Sequence, residues 1–129
     1  MFLISVEGAF DAAHHLPGYD GKCANVHGHR WRVSVMYRWF GPTPASGISV
    51  DLSRAKHQLK TTLKSFDHQD LNTLLDFPSA ELLAKVIFQE LAEDEMYKSE
   101  MLYSVAIEES PGCIVTYVPE DTNTNGLPN

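Results

Sequence analysis

Apolar residues recur at two different spacings along this chain, and the spacings divide it into strands and helices. Phe2, Ile4, Val6, Gly8 and Phe10 fall at every second position, the period at which a strand presents one face. The alternation is cleaner after His27: Trp31, Val33, Val35, Tyr37 and Trp39 share one face, with Arg30, Arg32, Ser34, Met36 and Arg38 on the other. Two strands are therefore expected, separated by a loop that Pro17-Gly18 and Asp20-Gly21 mark. Gly41-Pro42-Thr43-Pro44 breaks the second strand, and Gly47 to Val50 is expected to resume as a short strand.

The period then lengthens. Leu52, Ala55, Leu59, Leu63 and Phe66 fit a helix capped by Asp51 or Ser53 and closed by Asp67-His68. A second helix is expected from Pro78-Ser79, with Ser79 as N-cap and Glu81 in the first turn, where the helix dipole favours an acid. Its stripe of Leu83, Ile87, Phe88 and Leu91 reads as core. Tyr103 to Glu109 and Cys113 to Val118 are expected as closing strands joined through Ser110-Pro111-Gly112. The resulting order is ββααββ, an α+β fold whose antiparallel sheet carries both helices on one face. Such a sheet has two edges, and neighbouring subunits are one way to cover them.

Residues 1–119 are expected to form a single domain, and 120–129, EDTNTNGLPN, a polar, frayed tail. A chain of 129 residues buries roughly two thirds of its unfolded surface, enough for a core, and the 43% hydrophobic content agrees. The net charge of −7 and the scatter of ten Lys and Arg argue against nucleic acid as a partner. An anionic substrate must then be held by local groups against the overall field. No apolar run approaches the ~18 residues of a membrane span, and MFLISV meets Glu7 without a basic flank, so neither a membrane nor a signal peptide is expected. A cytoplasmic location follows, with Cys23 and Cys113 as free thiols.

The chemistry gathers between Phe10 and His29, FDAAHHLPGYDGKCANVHGH, which holds four His, one Cys and two Asp in twenty residues. On a strand His27 and His29 point to the same face, and Gly28 between them leaves the opposite face bare and allows close backbone packing. His14 or His15 supplies a third imidazole. Three neutral nitrogen ligands with an open fourth position is the pattern of a catalytic zinc. With Cys23 as a fourth ligand the site would be structural instead. The helical hydrolytic motif His-Glu-x-x-His is absent.

These residues resemble the family of 6-pyruvoyltetrahydropterin and 6-carboxytetrahydropterin synthases. The resemblance is carried by Phe10 to Leu16, Cys23-x-x-x-His27-Gly28-His29, Gly47 to Leu52, Asp67-His68 with Leu71-Asn72, Pro78 to Ala84, and Val105 to Ser110 leading to Tyr117. It implies the tunnelling fold, in which ββααββ units assemble into barrels with active sites between subunits. A homohexamer of two trimers is the assembly it suggests. It also implies Zn2+ held by His14, His27 and His29, a proton-moving set of Cys23, Asp67 and His68, and Glu109 as anchor of the pterin substrate. His15 is a departure, since relatives often carry other residues there.

Chemistry agrees with those roles. A thiolate beside zinc and an imidazole has a lowered pKa and can act as a base near neutrality. A carboxylate suits the amino-pyrimidine edge of a pterin through paired hydrogen bonds. Glu108 points the other way and is the weaker candidate. The three residues between Cys23 and His27 resemble the carboxy-forming enzymes of the queuosine route, whereas the pyruvoyl-forming enzymes carry a longer insertion. Two residues of extended chain move a thiol by up to ~7 Å. The resemblance thus implies a lyase forming 6-carboxy-5,6,7,8-tetrahydropterin, acetaldehyde and triphosphate from 7,8-dihydroneopterin triphosphate. The alternatives are a 6-pyruvoyltetrahydropterin synthase and a non-catalytic pterin-binding oligomer.

Overall fold

Four antiparallel strands form one sheet in the order β1-β2-β3-β4, and two helices pack on its apolar face. The computed structural model describes residues 1–94 and 101–120. The strands are β1 (Phe2–His14), β2 (His27–Trp39), β3 (Leu102–Ser110) and β4 (Cys113–Tyr117). The helices are α1 (Leu52–Leu63) and α2 (Ala80–Ala92). The α+β arrangement is the expected one, and the expected tail from 121 onward lies outside the described residues.

Alternation decides which face is buried. Val6, Phe10 and Ala12 on β1, Trp31, Val33, Val35 and Tyr37 on β2, and Val105 and Ile107 on β3 all enter the core. Against them α1 buries Ala55, Leu59 and Leu63, and α2 buries Leu83, Ala84, Ile87, Phe88 and Leu91. Each such aliphatic side chain contributes about 1.5–3 kcal/mol on leaving water. Gly8 lets α1 approach closely: a Cβ there would sit 3.0 Å from Leu63 Cδ1.

The helix starts follow local hydrogen bonding. Asp51 rather than Ser53 caps α1, its Oδ1 accepting from the N–H groups of Ser53 and Arg54 at 3.0 and 3.2 Å. Ser79 Oγ accepts from Leu82 N–H at 3.2 Å at the start of α2. α1 ends at Leu63, earlier than the apolar spacing predicted, and Phe66 is buried from the turn that follows.

Two expectations need correction. Gly47 to Val50 is not a strand: Ile48 is exposed, Gly47 has φ 78°, and Ser46 Oγ bonds both backbone groups of Ile48. Only Val50 buries itself there, so one core contact imitated an alternation. Gly28 is not needed for close packing within the chain, because a Cβ there would meet only Ala12 O, at 4.0 Å.

β1 runs four residues further than its apolar alternation, to His14. Its register with β2 sets His14 opposite His27 and Ala12 opposite His29. That pairing positions the site.

Candidate metal centre

His14, His27 and His29 project from the joined ends of β1 and β2 onto the helix-covered face. Their ring centroids lie 4.5, 5.1 and 4.7 Å apart. The small side chain of Ala12, opposite His29, leaves room for the rings. Trp31 closes the floor, fully buried and edge-on to His14 and His29 at 4.8 and 5.2 Å. Phe10 stacks on Trp31 at 5.9 Å and extends this apolar base into the core.

The polar atoms explain what the rings are arranged for. His14 Nδ1 donates to the carbonyl of Pro78 at 2.7 Å, and His27 Nδ1 donates to the carbonyl of Asn25 at 2.7 Å. A carbonyl only accepts, so both protons lie on Nδ1 and both Nε2 atoms carry lone pairs. Nε2 of His14, His27 and His29 are all buried with no hydrogen-bond partner. Three orphaned ring nitrogens in one place are costly unless something binds them. A carbonyl behind the ring, as His14 and His27 have, is the usual setting of a metal-bound imidazole.

Glu109 joins this group. Its Oε1 lies 3.0 Å from His29 Nε2 and 3.7 Å from His14 Nε2. The 3.0 Å contact is an ion-pair distance without hydrogen-bond alignment, which is why Nε2 still counts as unpaired. Glu109 sits in the register shift between Glu108 and Ser110, an irregularity of the kind that aims side chains at sites. Glu108 instead faces Arg32 on the opposite side of the sheet, its Oε1 3.9 Å from Nε. The four ligand atoms lie within 4.8 Å of one another. Burial holds the pKa of His14 below 6.5, and burial does the same for His29 against the opposing pull of Glu109. Neutral imidazoles result, the form that binds a cation.

The other proposed site residues lie elsewhere in the chain. Cys23 sits in a single 3-10 turn, Lys22–Ala24, whose end sets the Asn25 carbonyl against His27. Its own carbonyl accepts from Leu16 N–H at 2.7 Å, and the thiol is outside the group of ligand atoms formed by His14, His27, His29 and Glu109. Asp67 Oδ1 accepts from Asp11 N–H at 2.9 Å and its Oδ2 is 2.9 Å from His68 Nδ1. The Asp11 N–H and then His68 hold the Asp67 carboxyl below its ordinary range. His68 is exposed and takes φ 57°, a left-handed conformation uncommon outside glycine. His15 turns away from the cluster, its backbone tied to Asn72. Sequence reasoning missed Pro78 and Asn25 as ring partners, because a backbone carbonyl has no residue signature. Trp31 was visible as core but not as the floor of a site.

Comparison with known proteins agrees with this geometry. Residues 3–120 match the family described as 6-pyruvoyl tetrahydropterin synthase. A 6-carboxy-5,6,7,8-tetrahydropterin synthase from Synechocystis is 38% identical, over 72% of this chain and 77% of that protein. The Haemophilus influenzae protein of the same name is 31% identical, over 91% of this chain and 99% of its own. The structure of Caenorhabditis elegans 6-pyruvoyl tetrahydropterin synthase superposes with a TM-score of 0.77 at 29% identity, covering 92% of this chain and 97% of that one. With the His cluster, the paired strand ends and this match along almost its whole length, the chain belongs to the 6-pyruvoyl tetrahydropterin synthase family.

Proposed function

We propose that this protein is a zinc-dependent lyase that converts 7,8-dihydroneopterin triphosphate and water into 6-carboxy-5,6,7,8-tetrahydropterin, acetaldehyde and triphosphate, in the cytoplasm and in the service of queuosine synthesis. The observation that carries the reading is the convergence of three buried Nε2 atoms without a hydrogen-bond partner, with the rings of His14 and His27 fixed from behind by carbonyls. His14, His27 and His29 would hold Zn2+. Bound there, the ion supplies Lewis-acid polarisation of the substrate's side-chain oxygens.

The remaining steps belong to the chain's own groups. Glu109, beside His14 and His29, accepts hydrogen bonds from the amino-pyrimidine edge of the pterin and so sets its side chain over the imidazoles. Cys23, in the turn that positions His27, takes a proton from the side chain as general base. Asp67, 2.9 Å from His68 Nδ1, orients that ring, so that His68 moves a proton of the substrate side chain. The exposed, left-handed His68 on the outer edge of β1 suits a role in a site shared with a neighbouring copy. A homohexamer of two trimers, with sites between subunits, meets that requirement.

One observation favours a second reading. Glu109 Oε1 within ligand reach would close the site to substrate if it bound the ion, leaving a non-catalytic pterin binder. The 6-pyruvoyl product is the other alternative, since relatives of both names match. Incubation with 7,8-dihydroneopterin triphosphate and mass analysis of the pterin product decides between them: the carboxy product is expected, and recovery of intact substrate would sink the enzymatic reading.

A further inference from the structure

β1 is an edge strand, and residues 67–72 cover its outer side only beside the metal cluster. Asp11 donates its N–H to Asp67 Oδ1 at 2.9 Å and accepts from His68 N–H at 2.6 Å. Ala13 N–H donates to the Gln69 carbonyl at 3.1 Å. At His15 the pattern is completed by a side chain: His15 N–H donates to Asn72 Oδ1 at 2.8 Å, and Asn72 Nδ2 donates to the His15 carbonyl at 3.0 Å. The amide of Asn72 thus does at His15 what a neighbouring strand would do, one acceptor and one donor to one residue. Asn72 is itself held, by its N–H to Asp70 Oδ1 at 3.0 Å and by the fully buried Leu71 before it.

The clamp falls on the residue next to a candidate ligand. His14 and His15 point to opposite faces of the strand end. A bulge or one-residue slip exchanges such faces, and here it would still deliver an imidazole to the cluster. Side-chain chemistry therefore does not distinguish the two; the backbone does. The ring of His15 is held by Asn72 as well, Nε2 lying 3.4 Å from Asn72 Nδ2, while its Nδ1 is buried and unpartnered. We propose that Asn72 is a positioning residue that locks the end of β1 so that His14, and not His15, enters the metal cluster. The inference rests on the metal-centred reading above.

Cobalt(II) is the probe, added to the purified full chain, with binding read from its visible absorption and by competition with a chromophoric chelator. Asn72→Ala is expected to weaken cobalt binding by about tenfold or more, the usual effect of removing support behind a ligand. His14→Ala is expected to take up none. His14→Ala/Asn72→Ala should recover binding through His15, and adding His15→Ala should abolish it again. A gain of metal on removing a second side chain is not an outcome of general loss of stability. Asn72→Asp keeps the acceptor for His15 N–H and loses the donor, so intermediate affinity is expected, and it carries the comparison if the alanine variant does not fold. The proposal is overturned if the Asn72 variants bind as tightly as the native chain, or if folded His14→Ala/Asn72→Ala stays as empty as His14→Ala. A native chain that binds no cobalt would overturn the metal-centred reading with it, whereas tight native binding with indifferent Asn72 variants overturns this inference alone.

Discussion

His14 Nδ1 donates to the carbonyl of Pro78 across 2.7 Å and 64 positions of sequence, tying the end of β1 to the start of α2. The bond fixes the tautomer of a fully buried imidazole and aims its bare Nε2 into the cluster. Sheet and helix layer thus meet at the candidate metal centre.

The first prediction is one zinc per chain, lost in His27→Ala and His29→Ala and kept in His15→Ala. Elemental analysis of the purified variants checks it, and full occupancy in either of the first two would remove that residue from the ligand set.

Acid should act on the metal-free protein through the same rings. Burial lowers the folded-state pKa of His14 and His29 below 6.5, so the unfolded chain takes up protons first as pH falls. Their contribution to stability is complete above about pH 6.5 and is lost as pH drops from there through the lowered folded values. Denaturant unfolding of the metal-free chain at pH 7.5 and 5.5 should show the loss, and a His14→Phe/His29→Phe variant should show a smaller one. An equal loss in both would assign the effect to other groups.

Much of this arrangement was legible. The strict alternation from His27 to Trp39 gave β2, and with it the shared face of His27 and His29. His14 and His15 were indistinguishable as residues, and the pairing of His14 with His27, with the Pro78 and Asn72 contacts, separates them. The carbonyls of Pro78 and Asn25 and the clamp at Asn72 depend on contacts up to 64 positions apart that no local pattern encodes. The failed strand at Gly47 to Val50 shows the converse, where a single buried Val50 beside glycine and proline resembled a period.

Cys23→Ala should keep zinc and pterin binding and lose turnover by a factor of about 10² or more, the usual contribution of a positioned general base. Calorimetric titration with a pterin and elemental analysis separate the three. Loss of zinc would return Cys23 to the ligand set.

Glu109→Gln should weaken pterin binding while zinc stays. An amide replaces one acceptor by a donor and leaves a ring donor unpaired, costing about 1–3 kcal/mol, or roughly 5- to 150-fold in affinity. Unchanged pterin affinity with lost zinc would instead make Glu109 a ligand and favour the closed, non-catalytic site.

Assembly should be visible in sedimentation. Residues 67–72 cover the chain from Asp11 to His15, and among the described residues no backbone hydrogen bond closes the outer edge of β1 before Asp11. Phe2 and Leu3 at that end are about half exposed, at 48% and 53%. A homo-oligomer, of hexameric mass if two trimers stack, is expected. A fully active monomer at assay concentration would contradict the shared site.

The most direct test of the central claim is the ratio of acetaldehyde to triphosphate released from 7,8-dihydroneopterin triphosphate by the zinc-loaded protein, with acetaldehyde read through alcohol dehydrogenase. Only the carboxy route cleaves the side chain, so equimolar acetaldehyde and triphosphate are predicted. Triphosphate without acetaldehyde would make the chain a pyruvoyl-forming enzyme, and release of neither would leave it a pterin binder.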